Sequence, residues 1–310
     1  MLMRFMVLAA LAVSGAHAYA QTADIPRTAD GRPDFHGVWE SRWLTPFERL
    51  DATTEATVTG DAAAAYAAAR MKALQSEGVA LHPDDDFDFA GLLPAGDGAF
   101  RTSLIVEPGD GKRPQTQLSK DIGAMGRAVR KAAENPESLS NDERCLSATG
   151  RAPLGVSPGS MYRQIVQTPG HVLIYTEDQM VTRIIGIDAA PRPEALVSLA
   201  GDSVAAWEGD TLVVVTTKIR PQLAPPGAPA FDQQRRVTER FSLLGADRIS
   251  YESVLEDSAM LTAPVRVQYD LLRTDEIIYE SACHEGNYSI GGMMLGARLA
   301  EQAQAPKPKP

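Results

Sequence analysis

Cysteine and histidine are scarce in this chain, and apolar runs of membrane length are missing. Its 310 residues include two cysteines and five histidines. So few cysteines exclude a cysteine-rich zinc module and a multiply bridged mini-protein. Histidines and carboxylates show no short ligand spacing. There is no H-E-x-x-H, no C-x-x-C and no EF-hand loop, so no metal is expected. There is also no G-x-G-x-x-G, no P-loop and no G-x-S-x-G. Nucleotide and serine-hydrolase chemistry are therefore disfavoured, and no cofactor is expected. Basic residues are outnumbered, 30 Lys and Arg against 40 Asp and Glu, for a net charge of -10. That argues against nucleic acid and anionic membrane surfaces as partners. A small acidic ligand stays open, because local charge can oppose the net.

The start of the chain reads as a secretory signal peptide over residues 1–20. Arg4 is followed by an apolar run at 5–13, and Ala18-Tyr19-Ala20 forms an A-x-A cleavage site before Gln21. The run is shorter than the roughly 20 residues a bilayer span needs. The expected product is a soluble, exported, periplasmic protein with no membrane span. About 290 residues remain, enough for a substantial core. Cys145 and Cys283 are an even pair in an oxidising compartment, so a disulfide is expected. The competing reading is a reactive thiol at Cys283 beside His284.

Residues 21–150 read as an extended entry segment carrying two helices. The Ala-rich stretch 61–77 is the first, with Gly78 as its stop. The second runs from an N-cap at Ser119 to Glu134, where Asn135-Pro136 ends it. The acidic run Asp84-Asp85-Asp86 reads as a solvated loop. From 151 to 290 the texture changes to strand-like runs broken by turn signals. The runs are 162–168, 171–176, 182–188, 203–207, 211–217, 236–244, 248–256, 265–273 and 276–283. Val265, Val267, Tyr269 and Leu271 share one face. Ile249, Tyr251, Ser253 and Leu255 repeat the pattern. About nine sequence-adjacent antiparallel strands favour an up-and-down barrel. Residues 291–310 read as a flexible tail.

Gly37-Val38-Trp39 opens this β-rich chain, and a G-x-W there resembles the first strand of calycin or lipocalin-type barrels. The resemblance implies that Trp39 plugs the closed end and that Gly37 allows close strand packing. Further segments resemble a large family of exported bacterial hypothetical proteins. They are Pro26-Arg27-Thr28-Ala29-Asp30-Gly31-Arg32-Pro33-Asp34, Ser103-Leu104-Ile105-Val106 with Asp110-Gly111-Lys112, and Arg144-Cys145-Leu146. Gln164-Ile165-Val166-Gln167-Thr168-Pro169-Gly170, Gly201-Asp202-Ser203 with Trp207-Glu208-Gly209-Asp210-Thr211-Leu212-Val213-Val214, and Cys283-His284-Glu285-Gly286-Asn287-Tyr288 complete the set. Departures from the family pattern fall at His171, at 180–183 (where only Arg183 is kept), at 215–218 and around 261–265. They imply a reshaped pocket. The chain is also similar in kind to cofactor-free decarboxylases or lyases acting on lignin-derived aromatic dimers.

Several residues are candidates for chemistry. Histidine as a residue type exchanges protons near neutral pH, and Glu285 beside His284 can orient the ring. Adjacent strand residues face opposite ways, so both reach one pocket only if the strand ends there; the alternative is a turn packed beside the disulfide. Arg183 lies among Ile and Val, and an inward Arg needs Glu239, Glu280 or a ligand carboxylate as partner. Glu239 shares a face with Val237 and Phe241, which makes it a candidate general base or a solvated strand residue. His36 at a pocket mouth, with Trp39 and Tyr251, would contact substrate. The expected activity is a decarboxylase-type lyase on a hydrophobic aromatic acid. Arg183 would hold the carboxylate, and His284 with Glu239 or Glu285 would move protons. The alternative is a lipocalin-like binding protein for a small apolar ligand.

Overall fold

A computed structural model of the chain describes residues 25–76, 91–133, 135–139, 143–146, 150–156, 161–177, 181–219 and 235–304. The predicted signal peptide, His82, the acidic run at 84–86 and residues 305–310 lie outside them. In chain order the elements are β1 (Gly37–Glu40), β2 (Thr57–Thr59), α1 (Gly60–Ser76), β3 (Pro94–Gly96), β4 (Ala99–Arg101), β5 (Ile105–Glu107) and α2 (Gln117–Ala132). Then come β6 (Tyr162–Gln167), β7 (His171–Thr176), β8 (Val181–Ile187), β9 (Asp202–Glu208), β10 (Thr211–Thr217), β11 (Arg235–Leu243), β12 (Arg248–Asp257), β13 (Val265–Thr274) and α3 (Ser289–Gln304).

Strands β6 to β13 follow one another around a sheet, and β1 pairs with both β6 and β13 to close it. The result is a nine-strand, calycin-like barrel, with β5 added against β13. All neighbours are antiparallel except β8 and β9, which run parallel through Gly186↔Val204 and Ile187↔Ala205. The barrel is therefore mixed, not strictly up-and-down. A topological reason applies: an odd number of strands cannot alternate in direction all the way round a closed ring. The connection 188–201 is where the direction repeats, since a parallel pair cannot be joined by a tight turn.

Two further expectations are corrected. The run 276–283 forms no strand; Ile277 and Tyr279 are exposed. Its place beside β13 is taken by β1, so no edge is left for it. The predicted flexible tail is helical to the end of α3. The α2 cap also shifts by one turn. Thr116, not Ser119, is the N-cap, and its hydroxyl accepts from the Ser119 amide at 3.1 Å.

Period-two alternation explains the core. Val265, Val267, Tyr269 and Leu271 point inward with Ile249, Tyr251 and Ser253, and with Val237, Glu239 and Phe241. The rings of Phe241 and Tyr251 meet edge to face at 5.1 Å, and Tyr251 and Tyr269 lie 4.8 Å apart. Beside the barrel, β2, β4 and β3 form a small sheet under α1. Leu44, Val58, Ala63, Tyr66, Leu74 and Leu92 pack a second core there. Cys145 and Cys283 form the expected disulfide, 138 residues apart. It ties the segment before the barrel to the segment after it. Closing so long a loop contributes about 5 kcal/mol on the chain-entropy model.

Candidate active site

Arg183 points inward from β8, and its guanidinium reaches Glu239 on β11 across the barrel interior. The pair is bidentate, with Nη1 to Oε1 at 3.0 Å and Nη2 to Oε2 at 2.5 Å. Their side chains are 1% and 0% exposed. Nη2 also reaches the hydroxyls of Thr216 at 3.3 Å and Ser203 at 3.4 Å. Burial alone lowers the Arg183 pKa, but the Glu239 charge reverses the sign and holds it above its ordinary value. The guanidinium is therefore permanently charged.

Glu239 has a second neighbour. The Tyr251 hydroxyl donates to Oε1 at 2.9 Å. Burial, followed by the Glu239 charge, pushes this phenol well above its ordinary pKa, which keeps the proton on Tyr251. Tyr251 in turn accepts the Leu154 amide at 2.8 Å, and the Tyr269 hydroxyl donates to the Leu154 carbonyl at 3.1 Å. Two inward phenols thus hold both backbone groups of Leu154 in the segment 150–156, whose Ala152 and Leu154 are buried. Irregular chain seated on a barrel must satisfy its backbone groups from side chains, and these tyrosines do so.

Arg163 is the third interior ion. It lies opposite Trp39 in the β6–β1 register and is 0% exposed. Nη1 donates to Ser41 Oγ at 3.1 Å, and Nη2 donates to the Gly155 carbonyl and lies against the Met161 sulfur. Nε has no partner. Burial lowers the Arg163 pKa. Neither Arg163 nor Tyr269 is among the predicted site residues, although both carried a signal. Arg163 shares a strand face with Ile165, and Tyr269 belongs to the clearest apolar alternation in the chain.

Arg183, Glu239 and Tyr251 thus converge. The other predicted residues lie elsewhere. Trp39 is fully buried, donates from Nε1 to the Phe35 carbonyl at 2.9 Å, and has the Arg273 guanidinium 4.4 Å above its ring. It is a core residue of the barrel. Gly37 clears the way for that arginine: a Cβ there would stand 2.3 Å from Arg273 Nη1, at φ +138°. His36 clamps two segments on the surface. Its Nδ1 meets Asp34 Oδ1 at 2.6 Å, and its Nε2 accepts the Gln167 amide at 3.2 Å. His284 and Glu285 are exposed on the turn that follows Cys283, outside the interior. The sequence reading took them for site residues because it extended a strand through 276–283.

Among the described residues, no group of three or more His, Cys, Asp and Glu is placed to hold a metal ion, and no described helix is long and apolar enough to cross a membrane. No protein-family model matches the chain, and no curated protein matches it.

Proposed function

We propose that this is an exported, cofactor-independent lyase of the decarboxylase type, working on a hydrophobic aromatic acid inside the barrel. The observation that carries the reading is the Arg183–Glu239–Tyr251 cluster, buried in the barrel interior beside the Phe241 and Tyr269 rings. Charged groups are retained in such surroundings at a cost, and a strongly perturbed phenol beside a carboxylate is the arrangement proton transfer needs.

Loss of carbon dioxide leaves an electron pair on carbon. With no cofactor to receive it, the substrate must hold that pair itself. A 4-hydroxyaryl acrylate can do so through its conjugated ring. The α carbon takes up a proton while the phenol loses one, giving a quinone methide. The bond to the carboxyl carbon then breaks, its pair rebuilds the alkene and the aromatic ring, and the phenol oxygen regains a proton. The net reaction consumes one proton and releases carbon dioxide. In this reading Tyr251 and Glu239 pass the proton, and Arg183 holds the Glu239 carboxyl group in place. The substrate enters by displacing the segment 150–156. Export and a periplasmic setting are part of the proposal. The disulfide and the resemblance to exported bacterial proteins support them.

A second reading is a binding protein for a small apolar ligand. The full mutual neutralisation of Arg183 by Glu239 favours it. Incubation with a panel of 4-hydroxyaryl acids, followed by mass spectrometry, separates the two. Product lighter by carbon dioxide is expected, and Tyr251→Phe and Glu239→Gln, both still folded by circular dichroism, are expected to lose it. Acid retained without product would overturn the lyase reading in favour of binding.

A further inference from the structure

Counting charge in the closed interior gives an imbalance. Of the buried ionised side chains, Glu40, Asp202 and Asp257 have basic partners of their own in Arg42, Lys218 and Arg235. Among the described residues, Arg163, Arg183 and Glu239 remain within the barrel, two guanidinium cations against one carboxylate. Glu239 is bound at both oxygens by Arg183. Among these residues the surplus cation is therefore Arg163. Its hydrogen-bond partners among the described residues are all neutral, and its Nε, like that of Arg183, has none there. Arg49 shows the contrast. It is also buried, but Nε, Nη1 and Nη2 each find an acceptor, on Thr102, Thr54 and Gly109.

A buried guanidinium without a counter-ion is costly to keep unless an anion completes it. We infer that Arg163 is the residue that receives the carboxylate of the aromatic acid, in place of the role expected of Arg183. This rests on the reading of the barrel as an aromatic-acid site. Nη1 and Nη2 of Arg183 are already held by both Glu239 oxygens, so a carboxylate binding that face would have to break the ion pair. At Arg163 it need only replace the Gly155 carbonyl and the Met161 sulfur. Gly155 neighbours Leu154, the residue held by Tyr251 and Tyr269. Releasing Gly155 and Leu154 together frees the guanidinium and both phenols in one displacement. The carboxylate then sits on Arg163, and the rest of the molecule lies towards Tyr251 and Glu239.

The test uses the whole mature protein with 4-hydroxycinnamate and its methyl ester, which differ in charge but share the ring. Binding is read by calorimetry and by the shift in melting temperature. Wild type is expected to bind the acid at least tenfold more tightly than the ester. Arg163→Met is expected to lose that preference and, free of ligand, to melt no lower than wild type, because it removes an uncompensated charge. Arg163→Lys keeps the charge and is expected to keep part of the preference, which guards against a variant that fails to fold. If Arg163→Met kept the preference for the acid, or wild type did not discriminate, the inference would be wrong. Unchanged turnover and KM in Arg163→Met would overturn the inference and leave the lyase reading standing. Acid bound through Arg163 with no product formed would do the reverse.

Discussion

Replacing Glu239 by Gln is expected to cost about 3–5 kcal/mol of folding stability. The change keeps the shape of the side chain and removes its charge. Arg183, 2% exposed, is then left with an amide oxygen and two hydroxyls at 3.3 and 3.4 Å. Arg183→Met is expected to cost a similar amount, because Glu239, 0% exposed, keeps only the Tyr251 hydroxyl. The double variant removes both charges at once. Buried ion pairs replaced by neutral groups of like volume are often close to neutral in stability, so it is expected within about 2 kcal/mol of wild type. The singles sum to about 6–10 kcal/mol, and the coupling energy is thus about 4 kcal/mol or more. Equilibrium unfolding in urea, with the disulfide intact, measures all four corners, and an unchanged slope certifies a common unfolded state. An additive cycle would refute the claim that the pair is shielded from water. So would a Glu239→Gln variant within 1 kcal/mol of wild type, taking ~1 kcal/mol as the ceiling for exposed pairs.

Four other outcomes are expected. Burial raises the pKa of Tyr251 and of Tyr269 above the model-compound value of 10.0. Their contribution to stability is complete below that pH and is lost as pH rises from it towards the folded values. Unfolding melts across the alkaline range should show that loss, and it should flatten in a Tyr251→Phe/Tyr269→Phe variant. Gly37→Ala should cost about 1–3 kcal/mol from its positive φ. Part of any excess from the Arg273 contact should vanish in an Arg273→Ala background, as read by the same urea cycle. Cys145→Ser with Cys283→Ser should cost about 2–5 kcal/mol, and non-reducing mass spectrometry should find one intact bridge in wild type. His284→Ala should leave both stability, within ~0.5 kcal/mol, and turnover of aromatic acids unchanged; a large loss of turnover would return His284 to the site.

Much of the barrel could be read from side-chain alternation, and the limits of that reading are physical. Strands β7 and β10 to β13 each present mainly apolar residues at every second position, and these are the residues found inside. The same rule located Arg183 and Glu239. Each stood on an apolar strand face, and two opposite charges facing one closed interior have strong reason to meet. Arg163 escaped because its face of β6 carries a single apolar residue, Ile165, and ends in Gln167, so that face does not stand out as apolar. The run 276–283 misled because alternation tests only whether a segment can be a strand. It does not test whether a sheet edge is free to receive it. Here β1, only four residues long, occupies that edge; its G-x-W resembles a first strand, but nothing in so short a run says which strand it pairs with.

Strand direction was within reach by counting. Nine strands closed into a ring require an odd number of parallel neighbours, so an up-and-down barrel of nine contradicts itself before any coordinates are known. The gap between the predicted runs 182–188 and 203–207 was too long for a hairpin turn, and it is where the parallel pair falls. The same counting logic applies inside. Strand faces gave the positions of Arg183 and Glu239 but not of Arg163, and among the described residues the interior charges do not sum to zero. The ring parity needs only the number of strands, whereas the charge sum also needs to know which buried carboxylates already have a base, and that is visible only once the side chains are placed. The anion proposed for Arg163 rests on that sum.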